Sequence, residues 1–327
     1  MVSQTAQMPL PQESVEKIKQ AVTAGFEKET GFLADFVAVP SLRFQEGPAQ
    51  DFMAQALRAR GMVVDDWTIA LSDLEHLSGF GPIMGDFSRA RTVVGSHHPS
   101  VTKGRSLILQ GHLDVVPTGP VDMWSHPPFD PVIRDGWMYG RGAGDMKSGT
   151  VAALFALDAL RDAGFEPAAT VHFQSVIEEE STGLGALSTL QRGYRADVAV
   201  LPEPIGFQFN RAQLGALWFR VKVRGKPVHV SVAREGSNAI LAGYDMITAL
   251  QQLEAEWNAR AAEDPVYKDV THPLNFNAGK IVGGDWASSV PAWCDIDCRI
   301  AVLPGQDLAR ARAEIEAQRV QRHRDRR

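Results

Sequence analysis

SLILQGHLDVVP (106–117), GRGAGDMKSGTVAALFALDAL (140–160), TVHFQSVIEEE (170–180) and ADVAVLPEP (196–204) are the stretches on which the fold turns. Leu107–Leu109 is an apolar run that stops at Gly111. Val151 to Leu160 is rich in alanine and leucine, which predicts a helix, and Thr170 to Ile177 is β-branched and apolar, which predicts a strand. Leu184 to Leu190 reads as a helix and Asp197 to Leu201 as a further strand. Strand, helix, strand, helix, strand at this spacing implies parallel pairing in a doubly wound α/β sheet.

Upstream, Val15, Ile18, Val22 and Phe26 repeat at helical spacing, Leu33, Phe36 and Val37 continue the pattern, and Pro40 breaks it. A second helix is predicted around Phe52 to Arg60, stopped by Gly61, with a short strand from Met62 to Val64. Residues 70–104 read as loops around one strand at Thr92–Val94. Downstream of about residue 211 the pattern changes. Leu217–Val223 alternates as a strand, Asn238 to Leu253 is helical, Phe276–Val282 and Ile296–Leu303 are strands, and Asp307 to Val320 is a helix with Leu308, Ala311 and Ile315 on one face. That βαββα order predicts a smaller α+β domain. The expected division is 1–211, 212–320 and a basic tail over 321–327, where QRHRDRR is solvated.

Composition bounds the function. A chain of 327 residues with 44% hydrophobic residues can bury the cores of two domains. Lys and Arg total 33 against 39 Asp and Glu, a formal charge of −6. That argues against a nucleic-acid-gripping protein. Cys294 and Cys298 alone exclude a disulfide scaffold or a four-cysteine zinc site and suit a reducing compartment. The N-terminal residues lack the pattern of a signal peptide, and no apolar run is long enough to span a bilayer. The expectation is a cytoplasmic protein with no membrane partner.

In open α/β sheets, ligands bind beyond the carboxyl ends of the strands. Here those ends carry His112 and Asp114, then Glu178, Glu179 and Glu180, then Glu203, and the Gly-rich loop before the helix adds Asp145. A lone His-x-Asp is ordinarily a loop hydrogen bond. A Glu triplet is ordinarily a solvated face, and Glu203 between two prolines an exposed turn. Their agreement in position at successive strand ends points instead to a shared cation, because converging carboxylates repel one another without one. Mixed His, Asp and Glu ligands suit Zn²⁺, with Co²⁺ or Mn²⁺ alternatives. Asp114 is placed to hold the His112 imidazole from behind. Nucleotide readings of the Gly-rich loop fail, because Met146 stands where a P-loop needs glycine, and Asp145 or Lys147 where a dinucleotide fingerprint needs its third. His97, His98, His126, His172 and His272 are read as structural.

HLDVVP (112–117), WSHPPFDPVIRDGWMYGRGAGDMKSG (124–149), IEEESTG (177–183) and LPEP (201–204) resemble the co-catalytic zinc hydrolases that include acetylornithine deacetylase, succinyl-diaminopimelate desuccinylase, aminoacylase and glutamate carboxypeptidase. The agreement runs over about residues 10–305, and GKPVHVSVAREGSNAI (225–240) and GGDWASSVP (283–291) resemble that family's ferredoxin-like lid, which makes the dimer contact. The acetylornithine deacetylase-like branch is the most similar. The resemblance implies a homodimer of catalytic domain plus lid that binds two Zn²⁺ ions and hydrolyses an amide bond in an N-acyl amino acid or small peptide. By the same resemblance, His112 and Glu203 bind one ion, Asp145 bridges both and Glu180 binds the second. Glu179 acts as general base toward a metal-bridging water, and His229 of the lid steadies the oxyanion in a partner's site. Glu178 stands where the family often has Asp, so the register within the triplet stays open. Arg299, on a lid strand, is an expected contact for a substrate carboxylate.

In such proteins the chain returns from the lid to the catalytic domain and supplies a last histidine to the second zinc site. No residue here matches that histidine, and the resemblance therefore implies a C-terminally truncated catalytic domain whose first site holds metal far more tightly than its second. Competing expectations are a catalytically weak or inactive remnant that only binds metal or dimerises, a dipeptidase or carboxypeptidase, and a nucleotide-binding protein using the Gly-rich loop.

Overall fold

The apolar repeat of the first forty residues is carried by one helix, α1 (Gln12–Val37), which ends just before Pro40. A computed structural model describes the chain over residues 10–324, apart from 84 and 207–209. Helix α2 (Gly47–Ala59) begins earlier than its apolar pattern suggests, because Pro48 lies in its first turn, where a missing N–H is no loss. Gly61, at φ 72°, turns the chain out of it. Then follow β1 (Val63–Thr68), β2 (Arg91–His97), β3 (Leu107–His112), the hairpin β4 (Val132–Arg134) and β5 (Trp137–Tyr139), α3 (Ser148–Asp162), β6 (Val171–Val176), α4 (Leu184–Gln191) and β7 (Val198–Val200).

Five of these strands form one sheet in the order β1-β2-β6-β3-β7. β3 runs parallel to both β6 and β7, whereas β2 lies antiparallel to its neighbours β1 and β6. The sheet is thus mostly parallel, with β2 reversed. Phe36, Met53, Leu57, Val93, Leu154 and Phe173 are among the side chains that close the core between sheet and helices.

Register positions the chemistry. His112 pairs with Val176, so the turn after β6 starts level with the end of β3. Leu109 pairs with Val200, which puts Glu203 as far past β7 as His112 is past that pair on β3.

The chain divides into two compact units, Met1–Phe207 and Gln208–Arg327. The second unit contains β8 (Gly215–Arg224), α5 (Ala239–Ala261), β9 (Phe276–Gly283), β10 (Trp293–Val302) and α6 (Leu308–Arg324). Its antiparallel sheet has β10 between β8 and β9. Even-numbered β10 residues Cys294, Ile296, Cys298 and Ile300 face a core with Leu250 and Trp257, and both cysteines are free.

One expectation is corrected in this unit. Leu308, expected on the buried face of the last helix with Ala311 and Ile315, is exposed in its first turn, and Glu314 lies on the inner side instead, held by Trp257 and Arg260. Helix α6 runs to Arg324, into the stretch expected to be a solvated tail from 321. Residues 325–327 of that tail lie outside the described residues. No helix among the described residues is long and apolar enough to cross a membrane.

Candidate active site

His112 ends β3 with its ring buried. Its Nδ1 contacts the backbone oxygen of Asp114 at 2.9 Å and the Asp114 carboxylate at 3.5 Å. Asp114 thus meets the imidazole at Nδ1, its main-chain carbonyl more closely than its carboxylate. The fully buried Asp114 carboxylate also accepts the backbone N–H groups of Glu179 (3.4 Å) and Glu180 (3.2 Å), which ties the end of β3 to the turn after β6.

With Nδ1 engaged, Nε2 faces the carboxylates. It lies 3.2 Å from Asp145, 3.7 Å from Glu179 and 3.8 Å from Glu203. Asp145 sits in the loop before α3, whose Asp145–Met146 peptide is cis. One donor atom each from His112, Asp145 and Glu203 lies within 4.8 Å of the others, the only such group of three among the described residues.

The electrostatics fit a cation. Burial opposes charge on His112, yet Asp114, Glu203 and Glu179 outweigh it and push the imidazole up to about 9. Burial raises Glu180 to about 7, with Asp145 adding to the effect, and burial likewise raises Glu179 and Glu203 above the usual carboxylate range. Acids that resist ionising beside an imidazolium are what a divalent ion would relieve. One imidazole nitrogen and two carboxylates, with the far ring nitrogen already oriented, also match a Zn²⁺, Mn²⁺ or Co²⁺ donor set.

The members of the glutamate triplet part company. Glu178 is fully buried and points away from the cluster onto Arg43, which donates from Nε at 2.8 Å and from Nη2 at 3.0 Å. Glu179 presents a half-exposed carboxylate toward His112, and Glu180 lies in the field of Asp145.

His229 and Arg299 belong to the second unit. His229 is exposed and accepts the Ser231 backbone N–H at Nδ1 (3.2 Å), which leaves Nε2 as the ring's N–H. Arg299 is exposed on the outer face of β10, opposite Trp218 on β8 and Asn277 on β9, and makes no ion pair among the described residues.

Three residues close to this geometry escape sequence reasoning. Arg43 follows Pro40 in a loop that carries no signal of its own. Glu46 is buried and accepts the Phe44 backbone N–H. Lys147 is fully buried, and its Nζ donates to the carbonyls of Phe36 (2.9 Å) and Val39 (2.7 Å) at the end of α1. For Lys147 a signal exists, since a lysine between Asp145 and an alanine-rich helix has little room to reach water.

The chain is similar to known proteins both in sequence and in fold. Relatives include the N-formyl-4-amino-5-aminomethyl-2-methylpyrimidine deformylase of Bacillus subtilis, 29% identical over 85% of this chain and 62% of that protein. Another is the succinyl-diaminopimelate desuccinylase of Azoarcus sp., 32% identical over 63% of this chain and 55% of that protein. The chain therefore spans 55–62% of the length of these relatives. Among solved structures, human carnosine dipeptidase 1 superposes with a TM-score of 0.67 at 16% identity, covering 94% of this chain and 78% of that one. An M20 family metallo-carboxypeptidase from Sulfolobus solfataricus gives 0.59 at 16% identity over 89% and 74%. The model of Peptidase family M20/M25/M40 matches residues 108–286, more than half of the chain and the whole stretch from β3 to beyond Glu203, so the chain belongs to that family.

Proposed function

We propose that the protein is a metal-dependent amidohydrolase that removes an acyl group from the nitrogen of an amino acid or similar small amine, in the manner of acetylornithine deacetylase. The observation that carries the reading is the convergence of His112, Asp145 and Glu203 with Glu179 beside them at the strand ends. Family membership supports hydrolysis of an amide, and the names of two relatives, a deformylase and a desuccinylase, favour deacylation over dipeptide cleavage.

His112, Asp145 and Glu203 would hold one metal, and Asp145 with Glu180 a second, more weakly bound one. When bound, divalent ions supply Lewis acidity toward the amide carbonyl and the attacking water. Glu179 takes a proton from that water as it attacks, since burial raises its carboxyl above the usual range and its half-exposed carboxylate faces the cluster beside His112. It then returns the proton to the leaving nitrogen. Asp114 keeps the His112 ring oriented and holds the Glu179 amide in place. His229 is our candidate donor to the oxyanion, supplied across a homodimer formed by the second unit, and its free Nε2–H suits that role. Arg299 offers an unpaired cation for a substrate carboxylate.

Glu179→Ala tests the reading. With purified protein loaded with Zn²⁺ or Co²⁺ and N-acetyl-L-ornithine as probe, the expected result is a loss of turnover of roughly 10²–10⁴-fold. Metal content should be unchanged. Unaltered turnover in the variant would remove Glu179 as the base.

A further inference from the structure

Resting on the amidohydrolase reading, we infer that Arg43 is a positioning residue for the reaction: through Glu178 it sets the turn that aims Glu179 and Glu180 into the site. Glu178 is the second residue past β6 and sits at φ 65°, in the left-handed region that non-glycine residues seldom occupy. Such a conformation persists only where the surroundings over-determine it. Here they do so from both the main chain and the side chain.

The Glu178 carbonyl accepts the N–H groups of Ser181 (3.3 Å), Thr182 (2.9 Å) and Gly183 (2.8 Å), so the whole turn winds around one residue. Its carboxylate, fully buried, accepts from Ser181 Oγ (2.9 Å) and Thr182 Oγ1 (3.0 Å) as well as from both Arg43 nitrogens. Arg43 reaches this turn from 135 residues upstream. Its guanidinium lies 4.8 Å over the Phe44 ring, and that ring packs edge-on against Phe87.

The turn is thus gripped at two points, by Asp114 at the amides of Glu179 and Glu180 and by Arg43 at Glu178. A buried carboxylate deprived of the cation that pairs with it would be left uncompensated and would have to move, and that movement re-aims the two residues that follow. The planar guanidinium matches both carboxylate oxygens at once, which a lysine ammonium cannot do. None of the residues in the His112, Asp145 and Glu203 group lies on this turn, so the claim separates from the integrity of that group.

Arg43→Met and Arg43→Lys in the full chain test the inference, with three readouts. Steady-state hydrolysis of N-acetyl-L-ornithine by Co²⁺-loaded protein is expected to show kcat lowered roughly 10–100-fold in Arg43→Met with KM little changed, and partial recovery in Arg43→Lys. Co²⁺ titration followed by visible absorption is expected to show the tighter site unaltered. Hydrogen exchange is expected to quicken at the Thr182 and Gly183 amides while Leu109 in β3 stays protected.

Unchanged kcat in Arg43→Met, or unchanged exchange at 182–183, overturns the inference. So does a loss of kcat that only follows a loss of folded protein or of the tighter Co²⁺ site. Should Arg43→Met not fold, Glu178→Gln serves in its place, since it keeps the shape and one acceptor for Arg43. A lowered kcat and faster turn exchange are expected, and wild-type values of both overturn the claim. If the wild-type protein hydrolyses no amide, the functional reading fails, and the exchange data alone then decide whether Arg43 holds the turn.

Discussion

Glu46 shows how a single buried acid can tie stability to pH. It is 4% exposed, and burial raises its carboxyl to about 7, with Asp114 and Glu178 adding like charge nearby. The folded state therefore holds this proton more tightly than the unfolded chain does. Stability from Glu46 is greatest below the unfolded value of 4.5 and declines as pH rises through about 7. Glu46→Gln keeps an oxygen for the Phe44 N–H and removes the ionisation. The variant is expected to match wild type in denaturant titrations at pH 4 and to exceed it by about 1–3 kcal/mol at pH 8. Equal stability at pH 8 would show that the carboxyl already ionises freely in the folded protein.

At the scale of elements, the site depends on how closely α3 approaches the strand ends. A Cβ added to Gly149, in the first turn of α3, would overlap the carbonyl oxygen of Pro202, the residue before Glu203. One added to Gly111 would collide with Thr150 of the same turn. Bare backbone at these two points lets the Asp145 loop, His112 and Glu203 meet. The buried amine of Lys147 adds a tie from this loop to the carbonyls of Phe36, in the last turn of α1, and of Val39 just beyond it. Gly149→Ala is expected to cost about 1–3 kcal/mol of stability and to weaken metal binding, as read by thermal unfolding and chelator competition. Gly31→Ala, inside α1 with open space around its Cβ position, is the contrast, expected to be neutral or stabilising by about 0.5–1 kcal/mol.

For the whole molecule, metal and stability are coupled, because the acids around His112 repel one another in the folded chain alone. Among the described residues only one group offers three ligands, so one ion per chain is expected to survive dialysis, measured by plasma mass spectrometry after zinc loading. Saturation at about 1,000 times the dissociation constant adds about 4 kcal/mol, so chelation should lower the unfolding temperature and Zn²⁺ restore it. Two tightly held ions would mean that Glu180 and Asp145 have a further strong ligand. No dependence of unfolding on metal would disconnect this cluster from metal altogether.

Much of the fold was legible locally. Apolar strands that end in HLD, EEE and PEP, and an alanine-rich helix between them, are patterns written within a few residues of each other. Strand-end polarity marks the ligand-binding edge of any such sheet, so His112, Asp114, the glutamate triplet and Glu203 stand out locally as candidates, with Asp145 on the adjoining Gly-rich loop. The reversed direction of β2, the exposure of Leu308 and the parting of Glu178 from Glu179 do not stand out in this way. Each rests on partners far away in sequence: β2 on its pairing with β6, Leu308 on how α6 packs against α5 through Glu314, and Glu178 on Arg43. Periodicity and composition determine which residues can be buried and which strand ends carry charge. Only the tertiary structure decides which of three adjacent glutamates pairs with an arginine 135 residues away and which two face His112 and Asp145, because that choice is a matter of long-range charge pairing and not of local pattern.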